Sequence, residues 1–248
     1  MNNKHDIDTY SKLALGASFY LEESFRCIYE SLEYEFAAIL FSQLLENIEP
    51  SVEDRKIFAK TSLPNDAIGL LQSEIPDILS EPTTKMMSDA WKNAQLRSKT
   101  ENHKFGLDHK IDSIEILGHL NNFGFFIETI INRHLLFLNQ SGKIDDFSYS
   151  RFSVAKVMER IIYIFKEDLK NNTIHLNEVQ NLFRLRNKTV HYTPDNAKVL
   201  KPRISELIKI WTQCAKLIGK LEIQENFNEE SFSERILYHS LRLQKKWN

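Results

Sequence analysis

The chain has 248 residues, 42% of them hydrophobic and 27% charged, with a formal net charge of −2. These proportions are those of an ordinary globular protein and exclude a disordered or collagen-like chain. No apolar run approaches the roughly 20 residues that a membrane-spanning helix needs. The net charge hides an asymmetry: residues 1–101 carry −7 and the remainder +5, a balance that suits nucleic-acid contact by the second part.

The polar start MNNKHDIDTYSK lacks the apolar stretch of a secretory signal. The two cysteines, Cys27 and Cys214, are too far apart in sequence to suggest a disulfide framework or a paired metal motif. A reducing, cytoplasmic setting is therefore expected.

Seven glycines and six prolines in the whole chain predict helices joined by short turns, because strand-rich folds need more frequent turn residues. A first long helix is expected from about Asp8 to Asn47, with Leu13, Phe19, Phe25, Ile28, Leu32, Phe36, Ile39 and Leu44 near helical spacing and Gly16 as a candidate kink. Pro50, Pro64, Pro76 and Pro82 then punctuate short segments, Val52–Lys60, Asp66–Glu74 and Thr83–Lys99, each compatible with a short helix. The polar run RSKTENHKFG at 97–106 is the best boundary. It separates an N-terminal helical region, 1–104, from a second unit, 105–248.

That second unit is more regular. Asp108–Gln140 carries Leu117, Leu120, Ile127, Ile131, Leu135 and Leu138 three or four apart, with His134 on the same stripe as a packed histidine. Glu128 and Asn132 flank the stripe and read as a solvated edge, with the motif helix as the other surface they could face. Helices follow over about Tyr149–Leu169, Leu176–Tyr192 and Ala197–Leu221, the last with Pro202 near its first turn, where proline is tolerated. Four helices with short connections predict an antiparallel four-helix bundle, onto which an amphipathic helix, Glu230–Lys245, packs. The fold class is thus all-α, with the N-terminal helical region as an addition.

Metal and glycine-loop chemistry find no material. The eight histidines form neither HExxH nor a Glu-x-x-His pair, and no Walker-type or dinucleotide-type glycine loop is present. No metal or other cofactor is expected. The residues that invite chemistry lie on LNEVQNLFRLRNKTVHYTP at 176–194. At about 100° per residue, Leu176, Val179, Phe183 and Val190 share one stripe, and Arg186 falls inside it. A guanidinium cannot shed its charge and is costly to bury alone, so this arginine needs a partner or a second surface. Asn187 and His191, four residues apart, are neighbours on the adjoining edge, and Arg184 projects near them. A packing role for this Arg–His cluster is the structural alternative.

The segment Arg186-Asn187-Lys188-Thr189-Val190-His191 resembles the motif of the HEPN superfamily, an arginine, a polar residue, and a histidine after four to six intervening positions. Arg97–His103 and Arg184–His191 also satisfy the bare spacing. Arg186 is preferred because Asn187 supplies the polar residue and because its place on the stripe requires explanation. The resemblance covers roughly residues 105–225. It implies a helical bundle that pairs with a second copy, motif facing motif, and an activity that cuts RNA without metal. Arg186, Asn187 and His191 would then be catalytic, with Arg184, Lys188 and Tyr192 contacting substrate. A toxin or antiviral-defence role, with an antitoxin or other regulatory protein as companion, is what stand-alone members suggest. The alternative is a non-catalytic HEPN module that binds nucleotide or RNA or scaffolds a partner protein.

Overall fold

A computed structural model describes residues 3–50, 52–55, 79–191, 200–226 and 231–247, with side chains of the first helix from residue 9 onward. Among these residues the chain is all helical: α1 (Asn3–Leu45), α2 (Glu81–Thr100), α3 (Ile116–Gln140), α4 (Asp146–Ser153), α5 (Val157–Ile164), α6 (Lys166–Lys170), α7 (Asn177–Val190), α8 (Ile204–Glu225) and α9 (Phe232–Trp247). No helix among them is long and apolar enough to cross a membrane. The expected helix Asp66–Glu74 and most of Val52–Lys60 lie outside the described residues.

The bundle is built around α3, whose buried residues include Leu120, Phe123, Phe126, Ile127, Ile130 and Ile131. Helix α1 runs antiparallel along it. Ser24 meets His119, Tyr20 meets Phe125, and Gly16 lies opposite Thr129. The helix passes through Gly16 unbroken. The approach is closest at Gly118, where a β-carbon would stand 2.8 Å from Cys27 Sγ. Only glycine lets α1 seat that deeply without displacing the sulfur. Helix α7 lies antiparallel on another face of α3, and α8 antiparallel to α7, through Asn121–Thr189 and the Gln213 cap of α7. Helix α9 folds back on α8 through Glu222, which accepts from the Phe232 N–H at 2.6 Å and from the Ser231 and Ser233 hydroxyls. Those bonds satisfy the start of α9, which would otherwise present orphan donors.

Residues from both sides of position 104 share one cluster of buried side chains, with Leu21, Phe25, Ile28, Leu32, Phe41 and Met87 alongside Leu120, Phe123, Leu182 and Trp211. Three expected helix bounds are corrected. The single helix expected over Tyr149–Leu169 is three short ones, interrupted at Val154–Lys156, where the Ala155 carbonyl accepts from Arg160 Nε. Helix α3 starts at Ile116 rather than Asp108, because 107–111 pairs with the entry to α8: Ile111 N–H donates to Pro202 O, and Ile204 and Ser205 N–H donate to His109 and Leu107 carbonyls. The same pairing starts α8 at Ile204 rather than near Ala197, with Pro202 just ahead of its first turn.

Candidate functional site

Arg186 has the second surface that its position demands. Its aliphatic stem lies on Gly124 of α3, where a β-carbon would stand 3.1 Å from Arg186 Cγ. Its guanidinium carbon is 5.0 Å from the centroid of the Phe125 ring, close enough for cation–π attraction. Nη1 reaches Asn187 Oδ1 at a long 3.4 Å, and Nε is buried with no hydrogen-bond partner. The residue is half-buried, held by its stem and by one ring face. That explains an arginine among apolar residues without a buried ion pair.

Asn187, the residue after Arg186, and His191, one turn further on, are both exposed. His191 closes the helix as its C-cap, its backbone N–H donating to the Asn187 carbonyl at 3.2 Å. One helix end thus brings together the guanidinium, the amide and the imidazole that the sequence singled out. The buried face of α7 is Val179, Leu182, Phe183, Leu185 and Thr189; Val190, expected on the packing stripe, is exposed. Thr189 is fixed from below, its hydroxyl within hydrogen-bond reach of the Arg186 carbonyl and Asn121 Oδ1.

The other residues differ in placement. Arg184 is exposed, donating to Asn181 Oδ1 at 2.7 Å. It is tied to its own helix, whereas Arg186 packs on Gly124 and Phe125 of α3. Lys188 is half-buried on α7. Tyr192 lies outside the described residues.

Two clusters escaped the sequence reading. Arg160 of α5 is buried and donates Nη2 to Glu128 Oε1 at 2.9 Å and Nη1 to Asn132 Oδ1. The presumed solvated edge of α3 is therefore an arginine clamp, one turn along α3 from Gly124. An i,i+4 polar pair beside an apolar stripe was the available signal. The second cluster surrounds Glu225, whose side chain is fully buried, accepts from the Tyr10 hydroxyl at 2.7 Å and bonds His134 Nδ1 at 2.8 Å, and forms an ion pair with Arg133 Nη2 at 2.8 Å. Burial pushes the Glu225 carboxyl up, but the bond from His134, the charge of Arg133 and the Tyr10 hydroxyl outweigh it and hold it below the usual carboxylate range. His134 is packed, as expected, with charged neighbours that the sequence did not suggest.

Among the described residues no group of three or more histidine, cysteine or carboxylate side chains could hold a metal ion. No family model, curated protein or solved structure matches the chain.

Proposed function

We propose that the chain is a HEPN-type endoribonuclease, independent of metal, acting as a toxin or antiviral-defence effector in the cytoplasm. The observation that carries this reading is the anchored Arg186. It is preset by Gly124 and Phe125 beside Asn187, with His191 one turn beyond. A guanidinium fixed in advance can grip a phosphate and offset charge on a pentacoordinate phosphorus without reorganising.

In the reaction the ribose 2′-oxygen attacks the adjacent phosphorus while its proton passes to a base, and the bond to the 5′-oxygen breaks as that oxygen takes a proton from an acid. The products are a 2′,3′-cyclic phosphate and a 5′-hydroxyl. Imidazole serves either role near neutral pH. One histidine cannot do both at once, so the His191 of a second copy supplies the other, which makes the active form a homodimer. Exposed apolar residues near the motif supply that contact surface: Phe125 beside Arg186, Phe19 linked to it through Tyr20, and Val190 next to His191. The rings of Phe19, Tyr20 and Phe125 form a continuous chain that ends at Arg186.

The test uses purified full-length protein with total RNA and excess EDTA, beside His191→Ala and Arg186→Ala. Cleavage giving cyclic-phosphate ends, lost in both variants while the dimer persists, supports the assignment. Undiminished cleavage by both variants overturns it. RNA that stays intact but still shifts the melting temperature selects the non-catalytic module.

A further inference from the structure

At the opposite end of α7 from the motif lies a cleft of about 570 Å³. One wall is the loop Thr173–His175 and the first turn of α7. The other is a single face of α8, on which Ile208, Lys209, Thr212, Gln213, Lys216, Leu217 and Lys220 recur at helical spacing. Ile174 and Leu217 are buried and give it an apolar floor. Around that floor stand three lysines, Lys209, Lys216 and Lys220, against one carboxylate, Glu178. Lys220 is engaged with Asp168 and Thr173. Lys209 and Lys216 are exposed and form no ion pair among the described residues. Their charges are uncommitted.

The helix geometry adds to this. The first N–H groups of α7 point toward the cleft, and Gln213 Oε1 accepts from those of Glu178 and Val179 at 2.8 and 3.0 Å. The positive end of the α7 dipole therefore reinforces the lysines, with Gln213 fixed between them. The volume falls in the range of small-molecule sites, roughly 300–1,000 Å³. An apolar floor wants a flat or aliphatic body, and two free ammonium groups want a dianion at its edge.

We infer that this cleft binds an organic phosphate of mononucleotide size, its apolar body on Ile174 and Leu217 and its phosphate between Lys209 and Lys216. The same chemistry could come from a free nucleotide or from one nucleotide of an RNA strand. Twelve residues of α7 separate Glu178 from Val190, about 18 Å at the helical rise, so this site is distinct from the motif.

Isothermal titration of the full-length protein tests it with four probes: AMP, adenosine, inorganic phosphate and a short single-stranded oligoadenylate. Saturable AMP binding is expected. Adenosine and phosphate should each bind about tenfold or more weakly, since each lacks one half of the ligand. The charge-reversed Lys209→Glu/Lys216→Glu variant should lose AMP by a similar factor or more, while His191→Ala retains it. Tighter binding of the oligonucleotide through the same lysines assigns the site to RNA, and equal or weaker binding assigns it to free nucleotide. The inference is overturned if the wild type does not bind AMP, if phosphate alone binds as well as AMP, or if the double variant binds normally. Because His191→Ala is included, loss of this site and loss of the ribonuclease reading are separable.

Discussion

Substituting Gly124 by alanine perturbs Arg186 from a neighbouring helix and leaves the motif intact. Glycine inside a helix costs about 1 kcal/mol relative to alanine, so the backbone of α3 gains by that amount. Against it, the new methyl would sit 3.1 Å from Arg186 Cγ, 3.7 Å from its Cβ and 3.8 Å from its Cδ. The stem is flexible and gives way by a few tenths of an ångström, weakening a cation–π contact worth about 0.5–1 kcal/mol. The two terms nearly cancel, so urea denaturation should show a stability change within about 1 kcal/mol. Activity has no such compensation. A misplaced clamp of about 1 Å costs on the order of a hundredfold, which a fluorogenic RNA cleavage assay in EDTA would register as a fall well beyond the stability change. In an Arg186→Ala background the crowding atom is gone, so Gly124→Ala should then stabilise by the full ~1 kcal/mol. Equal stability effects in both backgrounds, or full cleavage by Gly124→Ala, would refute the idea that Gly124 positions the arginine.

Two further outcomes concern the core. His119 is fully buried, its Nδ1 against the Ser24 carbonyl and its Nε2 accepting from Trp211, and burial lowers its pKa to about 4. The unfolded chain binds the proton more readily, so stability is retained above about pH 6.5 and falls as pH drops toward 4. The loss between pH 7 and pH 5 is about 2 kcal/mol; urea midpoints at the two pH values should separate accordingly, and a flat profile would contradict the buried neutral imidazole. Glu225→Gln should destabilise by about 3–5 kcal/mol, because it withdraws the carboxylate from Arg133 and His134 in a fully buried site. It should also flatten the acid limb, since a depressed carboxyl stabilises the fold above its unfolded pKa and loses that contribution as pH falls through the folded one. An unchanged midpoint at pH 7 would remove Glu225 from its assigned role.

The helical class was legible because scarce glycine and proline leave periodicity as the main signal, and α3 and α7 obey it. The breaks in the chain were less legible where tertiary contacts make them. Nothing in Val154-Ala155-Lys156 announces an interruption. It exists because the Ala155 carbonyl accepts from Arg160, itself clamped by Glu128 and Asn132 across the bundle. The late start of α3 has a similar cause in the pairing of 107–111 with Pro202 and Ser205. At the site, the position of Arg186 on an apolar stripe said that a partner surface must exist. It could not say that a glycine and an aromatic ring sixty residues earlier would form it, because that depends on how α3 and α7 cross. Glu225 went unread for a simpler reason: α8 runs to Glu225 itself, past the expected end at Leu221.

The placement of α1 widens the set of residues on which the surroundings of Arg186 depend. Read from sequence, the first hundred residues are a helical region added to the bundle, with no assigned role. In the fold, Leu21, Phe25, Ile28, Leu32, Phe36, Leu40 and Phe41 of α1 are buried in the shared core. At about 1.5–3 kcal/mol for each large apolar side chain, their burial alone is comparable with the whole stability of a typical domain, about 5–15 kcal/mol. Helix α1 therefore packs in one core with α3, and α3 carries both Gly124 and Phe125. The same helix continues the aromatic surface outward through Tyr20 and Phe19. The rigidity of Arg186 and the apolar rim around it thus depend on a segment that the motif itself does not contain.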